Sequence, residues 1–280
     1  MQKLVDYHIH TAVSIDAYSS VEGCCRRAIE LGLQAIAFTN HVMLRDPDYL
    51  MTENALLDHW ACIQVCQRQY PELTIRLGIE IDYYEDLEKE IQELIFRYED
   101  LIARRFDYVL GSVHTVDEIK INSERWAYLL FENNKAGYVF HKYFTSMSQA
   151  VRSGLFDVMA HLDRIKKNMG RLFRPVPFEK YRDSAEALVN ALLESGVGME
   201  INTKGLQHPV GEMYPSEQLL SLYLAEAERR RVNPIITMGS DAHKEEEVGV
   251  NLSQGAALLK KLGQRAITVF DRRQKQKLNF

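Results

Sequence analysis

Cysteine is scarce in this chain: four residues in 280, at Cys24, Cys25, Cys62 and Cys66, with no CxxC spacing. That argues against a disulfide framework or an all-thiolate metal site, and a reducing cytoplasmic compartment is expected. His59, Cys62 and Cys66 share one face of a predicted helix, where small core residues are expected rather than a chelating set. Long apolar runs are missing too. None approaches the ~20 residues of a bilayer span, and MQKLVDYH lacks the apolar centre of a signal peptide, so no membrane role is expected. Positive charge is not in excess, with 34 Lys and Arg against 39 Asp and Glu and a formal net charge of −5. That gives no reason to expect nucleic acid or an anionic surface as partner. No Pro/Gly-rich linker, low-complexity tract or internal repeat divides the chain. One domain over residues 1–280 is expected, although a soft prior of ~150 residues per domain also allows two small ones.

What the chain does contain is alternation. Apolar runs rich in β-branched and aromatic residues recur as KLVDYHIH, QAIAFTNH, LTIRLGIEID, DYVLGSVH, FDVMAHLD, VGMEINT and PIITMGSDAH. Segments of helical spacing separate most of them: SSVEGCCRRAIELG, TENALLDHWACIQVCQRQY, EDLEKEIQELIFRYEDLIARR, FEKYRDSAEALVNALLESG and PSEQLLSLYLAEAERRR. A late NLSQGAALLKKLG leads to AITVF, a candidate final strand. Strand–helix alternation predicts a parallel sheet covered by helices. A seven-stranded barrel of TIM type and a doubly wound open sheet both satisfy the periodicity. The polar residues favour the barrel, because each run ends in a potential ligand and only a closed sheet brings seven C-terminal strand ends to one rim.

Six of the nine histidines fall at those ends: His8, His10, His41, His114, His161 and His243. The other three, His59, His141 and His208, lie on helices or a loop. In DYHIHT, His8 and His10 are two apart on a strand and so point to one face. Any one of the six alone reads as a hydrogen-bonded structural residue; six in the same register, with Glu80 and Asp241, do not. Imidazole mixed with carboxylate and no thiolate suits Zn²⁺, Fe²⁺ or Mn²⁺. With Asp16 added, nine side chains exceed the four or so that one zinc takes, so two or three clustered ions with a bridging carboxylate are expected.

These motifs resemble the PHP (polymerase and histidinol phosphatase) superfamily, histidinol-phosphatase branch. DYHIHT, FTNH at 38–41, GIE at 78–80, GSVH at 111–114, AHLD at 160–163, EINTKGL at 200–206 and GSDAH at 239–243 appear in the family's order. The resemblance implies a distorted (β/α)7 TIM-like barrel of mainly parallel strands and a trinuclear metal centre. By motif, His8, His10, Glu80 and Asp241 would hold one ion, Glu80, His114 and His161 a second with Glu80 bridging, and Asp16, His41 and His243 a third. Three departures stand out. Asn40 occupies a position where the family commonly has Asp, and Gln207 one where the branch usually carries a basic residue. Lys166 sits where the branch often has an arginine. Arg164, Lys166, Asn202, Lys204 and His208 are the candidate substrate contacts, although Arg164, Lys166, Lys167 and Arg171 also fit a solvated basic loop. Asp46, Asp48, Tyr83, Glu85 and Asn202 are the candidates for the substrate's amine and imidazole.

The function implied is a metal-dependent phosphomonoesterase. Its substrate would be L-histidinol phosphate, cleaved to L-histidinol and phosphate in histidine biosynthesis. The expected nucleophile is hydroxide held between two ions, since coordination lowers the pKa of water from about 15.7 towards ~7. His8, His10, Glu80 and Asp241 would hold the metals and position that hydroxide. The alternative is a PHP-type phosphoesterase acting on another small phosphomonoester or a nucleotide. A polymerase-associated exonuclease is disfavoured by the acidic balance, and a purely structural metal centre by the surplus of ligands. A homo-oligomer stays open.

Overall fold

The computed structural model describes residues 4–280. Seven parallel strands follow one another in space as they do in sequence: β1 (Val5–Ile9), β2 (Ala35–Phe38), β3 (Thr74–Asp82), β4 (Tyr108–Ser112), β5 (Val158–Met159), β6 (Gly198–Asn202) and β7 (Ile236–Gly239). The sheet returns on itself beyond β7. The His10 N–H donates to the Ala242 carbonyl at 2.8 Å, the Ala242 N–H to the His8 carbonyl at 3.3 Å, and the Ser240 N–H to the Asp6 carboxylate at 2.8 Å. The result is the expected seven-stranded barrel, nearly closed, rather than an open sheet.

Every residue of β1, β2, β4, β6 and β7 is buried, as is usual for parallel strands walled by helices on one side and a packed interior on the other. The covering helices are α1 (Val21–Glu30), α2 (Glu53–Gln69), α3 (Glu88–Leu101), α4 (Glu124–Asn133), α5 (Ala136–Arg152), α6 (Arg182–Ser195), α7 (Glu217–Arg230) and α8 (Leu252–Lys261). Helix α1 shows the local logic. The Ser20 hydroxyl accepts from the Gly23 N–H at 2.9 Å, Cys24, Cys25 and Ala28 turn inward, and the chain leaves through Gly32 at φ +68°. On α2, His59 and Cys66 are buried but Cys62 is exposed, so the three do not form the shared core face expected of them.

Two differences from the sequence reading are instructive. Residues 124–152, for which the spacing predicts no element, form α4 and α5. Tyr138, Val139, Phe140, Tyr143 and Phe144 dilute the helical propensity of α5, yet Val139, Phe140, Tyr143, Phe144, Met147 and Val151 carry its buried stripe. Tertiary burial of those aromatics, about 2–3 kcal/mol apiece, outweighs propensity terms of a few tenths. The AITVF run is a strand, but it does not join the barrel. β8 (Ala266–Asp271) pairs antiparallel with β9 (Gln274–Asn279) through a two-residue turn in which Arg272 and Arg273 take φ +48° and +65°. This hairpin packs on the bottom of the barrel, where Phe270 stacks on Tyr108 with centroids 5.6 Å apart and Arg273 reaches Asp157 at 2.8 Å. The opposite rim is thereby the one left open.

Candidate metal centre

The C-terminal strand ends deliver eight of the nine expected ligands, the loop after β1 delivers Asp16, and local geometry aims them. A two-residue extension, His41–Val42, pairs with the end of β3 in the register His41↔Glu80, which sets that imidazole beside that carboxylate. His161 and Asp241, just past β5 and β7, have φ +27° and +54°; non-glycine residues avoid this region unless surrounding structure holds them there. Asp82 accepts the His114 backbone N–H at 2.9 Å.

Three clusters result. His8 Nε2 and His10 Nε2 lie 3.0 Å apart, with Glu80 Oε2 at 3.3 and 3.5 Å and Asp241 Oδ1 at 3.6 and 3.3 Å from them respectively. Glu80 Oε1 faces the second cluster, 3.2 Å from His161 Nε2 and 3.9 Å from His114 Nε2. In the third, Asp16 Oδ2 lies 3.7 Å from His41 Nε2 and 3.5 Å from His243 Nε2. Glu80 therefore offers a different oxygen to each of two neighbouring clusters. Eight of the nine expected ligands fall in groups able to hold an ion, His10 with His41 and His243 as well as with His8 and Asp241, and Asp16 lies beside His41 and His243.

The electrostatics are those of a cage for cations. Burial raises the Glu80 carboxyl, but the imidazoliums of His41 and His8 overturn that and hold it well below the usual range. Asp241 behaves alike: burial raises it, and His8 with its other neighbours pulls it down. For His8, burial favours the neutral ring, yet Glu200, Asp241 and Glu80 raise it well above an ordinary imidazole. Burial and then the charges of His41 and His243 push His10 well below. With the rings neutral, as ligation of a cation requires, His8 Nε2 and His10 Nε2 would present lone pairs 3.0 Å apart, each 3.3–3.6 Å from Glu80 Oε2 and Asp241 Oδ1. This all-nitrogen-and-oxygen donor set fits two or three divalent ions of the zinc, iron or manganese kind.

A cavity of about 500 Å³ opens over the rim, lined by Asp16, His41, His114, Asp241 and His243. Its basic side carries Arg164, Lys167, Lys204 and His208; Asp46, Tyr49 and Tyr84 also line it. Arg164 Nη1 donates to Asp241 Oδ2 at 3.2 Å, and Lys204 Nζ lies 2.7 Å from Glu247. His208 Nδ1 meets the Tyr214 hydroxyl at 2.9 Å, and burial pushes that imidazole down to about 3.

Other expected contacts lie elsewhere. Lys166 is 2% exposed, and its ammonium is held by Asp163 at 2.9 Å and Glu212 at 2.7 Å, so it braces the 208–216 loop instead of lining the cavity. Asn202 is wholly buried; its Nδ2 donates to Glu200 at 3.1 Å and Asp241 at 3.4 Å, orienting carboxylates rather than facing a substrate. Asp48 is not on the cavity wall, Tyr83 and Glu85 line a separate groove, and Gln207 is exposed. The Asn40 amide does not touch the His41 ring. Its Oδ1 accepts from the Thr11 N–H at 2.8 Å and the Ser14 hydroxyl at 3.2 Å, and Ser14 Oγ in turn accepts the His41 N–H at 2.9 Å.

Sequence reasoning passed over Glu200. It is buried in β6, where its Oε1 accepts from His8 Nδ1 at 2.7 Å and its Oε2 from the His161 N–H at 3.0 Å. An acid in the middle of the apolar run VGMEINT was the available signal.

Comparison with known proteins follows the same line. Residues 6–204 match the PHP domain family. A protein named "Probable histidinol-phosphatase" in Deinococcus radiodurans is 29% identical over 272 residues, 96% of this chain and 97% of that one. The histidinol-phosphatase of Lactococcus lactis is 23% identical over 270 residues, 96% and 94% of the two chains. The crystal structure of histidinol phosphate phosphatase from Lactococcus lactis, complexed with zinc, L-histidinol and phosphate, has a TM-score of 0.81 at 22% identity, covering 99% of this chain and 100% of that one.

Proposed function

The chain belongs to the PHP domain family, and from that premise we infer that it is a metal-dependent phosphomonoesterase, hydrolysing L-histidinol phosphate to L-histidinol and phosphate in histidine biosynthesis. The observation that carries this is the rim of nine candidate ligands opening directly into a cavity with a basic flank. Relatives named for this activity align over nearly the full length of the chain, which supports the substrate. We take residues 1–280 as one metallophosphoesterase domain, since the C-terminal hairpin packs on the barrel floor. Free cysteines fit a cytoplasmic setting, and among the described residues no helix is long and apolar enough to cross a membrane.

His8, His10, Glu80 and Asp241 would hold one ion, Glu80, His114 and His161 a second, and Asp16, His41 and His243 a third. When bound, such ions supply Lewis acidity, neutralising phosphate charge and acidifying water. The chain's own residues do the rest. Glu80 fixes the spacing of two clusters by giving one oxygen to each. With the ring neutral, as ligation requires, Glu200 would hold His8 in the tautomer whose Nε2 is free to ligate. Arg164, braced by Asp241 and by Asn122 Oδ1 at 3.3 Å, sets a guanidinium beside the rim, where it meets phosphoryl oxygens as their charge redistributes. Lys204 adds a second cation, and the neutral His208, hydrogen-bonded to Tyr214 through Nδ1, keeps Nε2 as its remaining polar atom. Asp16 and His243 are the more open ligands, with side chains 36% and 22% exposed, so substrate approaches from their side.

The test is elemental analysis of the purified protein paired with a phosphomonoester panel that includes L-histidinol phosphate. Chelator should abolish hydrolysis and divalent metal should restore it. If L-histidinol phosphate is cleaved no better than unrelated esters, the substrate assignment fails; if a metal-loaded protein cleaves no phosphomonoester, the activity fails.

A further inference from the structure

Two adjacent lysines in HLDRIKKN have opposite fates. Residues Arg164–Lys166 form a 3₁₀ turn, in which positions three apart lie over one another. The Lys167 N–H donates to the Arg164 carbonyl at 2.8 Å, so Arg164 and Lys167 share the cavity side while Lys166 turns away to Asp163 and Glu212. The cavity's other cations are committed: Arg164 to Asp241, Lys204 to Glu247 and Lys120 to Asp46. Among the described residues, no carboxylate oxygen comes within 4.0 Å of the Lys167 ammonium. Asp241 is engaged by Arg164 and His10, and Glu124 is paired with Arg171 at 2.7 Å.

An ammonium partly withdrawn from water without a counter-ion is costly, and proteins keep such groups where a ligand supplies the missing charge. Here burial, reinforced by Arg164, pushes Lys167 down to about 8. We propose that Lys167 is the capturing cation of the site, pairing with the peripheral oxygens of a phosphomonoester dianion whose remaining oxygens face the histidine–carboxylate rim. This rests on the phosphomonoesterase reading and names the residue that recognises the anion. The charge it meets is present in the ground state as well as the transition state, so its loss weakens binding and leaves turnover nearly intact.

The experiment uses the full-length, metal-loaded protein. Inorganic phosphate is titrated calorimetrically into wild type, Lys167→Gln, Lys167→Arg and Arg171→Gln, and steady-state kinetics are run on a generic phosphomonoester. Lys167→Gln should weaken phosphate binding about 10- to 100-fold and raise KM in proportion, as loss of one charge-assisted contact would. Its kcat should stay within about threefold, with metal content and melting temperature unchanged. Lys167→Arg should recover most of the affinity, and Arg171→Gln should match wild type. The assignment is overturned if Lys167→Gln binds phosphate as wild type does, if it loses kcat at constant KM, or if wild type binds no phosphate. A wild type that binds phosphate but hydrolyses no ester would instead sink the proposed activity, leaving the titration to judge Lys167.

Discussion

Glu200 Oε1 accepts from His8 Nδ1 at 2.7 Å, while the other oxygen of the same carboxylate accepts the His161 N–H at 3.0 Å and Asn202 Nδ2 at 3.1 Å. One buried acid on β6 thus orients an expected ligand on β1 and the backbone of an expected ligand following β5. The pair fits because β7 ends in Gly239: a Cβ there would stand 2.4 Å from His8 Cβ and 2.6 Å from Glu200 Oε1. Removing the partner of a ligating imidazole typically costs 10- to 100-fold in metal affinity. Glu200→Ala is therefore expected to weaken metal binding by about that factor, measured by chelator competition. An unchanged affinity would remove Glu200 from any role in the centre.

Glu80 gives a separate oxygen to each of two clusters. Glu80→Ala should consequently lose more than one equivalent of metal and nearly all turnover, whereas loss of a non-bridging ligand such as His114 should cost about one. Elemental analysis of the two variants decides it, and a fully loaded, fully active Glu80→Ala protein would reject the bridging role.

Metal removal should lower stability as well as activity. An ion bound only by the folded state stabilises it by about 4 kcal/mol when present at a thousandfold excess over its Kd. Scanning calorimetry with chelator should show a melting temperature several degrees lower, restored by zinc, iron or manganese. A transition indifferent to chelator would mean that the folded chain does not retain the ions.

His59 predicts an acid-side weakness independent of the metals. It is 3% exposed, and burial pushes its imidazole from 6.5 down to about 4. Its Nε2 accepts from Asn40 Nδ2 at 3.1 Å, which requires the neutral ring. A depressed folded pKa means that the unfolded chain binds the proton first. The stabilisation is therefore complete above 6.5 and is lost as pH falls from 6.5 towards 4, by about 3 kcal/mol in all. Denaturant unfolding of wild type against His59→Gln should show a difference in stability that narrows by up to one proton's slope across that window. A pH-independent difference would mean that His59 titrates alike in the folded and unfolded chains.

Most of the rim was readable before the fold because the candidate ligands other than Asp16 sit at the ends of apolar runs, as His8, Glu80, His114 and Asp241 do. Strand periodicity fixes the face, and parallel alternation fixes the end of the barrel. Helix α5 was not legible, because its aromatic content speaks against the conformation that its burial enforces. Glu200 was not either: a buried acid reads the same in sequence whether it binds metal, orients a ligand or braces a loop.

Lys166 and Lys167 make the division plain. By itself the sequence determined which side chains meet at the rim, because strand alternation and strand order are local properties that a closed parallel sheet converts into position. Only the tertiary structure decided which charges are already neutralised, because pairing depends on distances between segments far apart in the chain. Asp163 and Glu212 reach one lysine, and among the described residues no carboxylate reaches the other. Partnering of that kind follows from proximity in space, and residue order does not encode it.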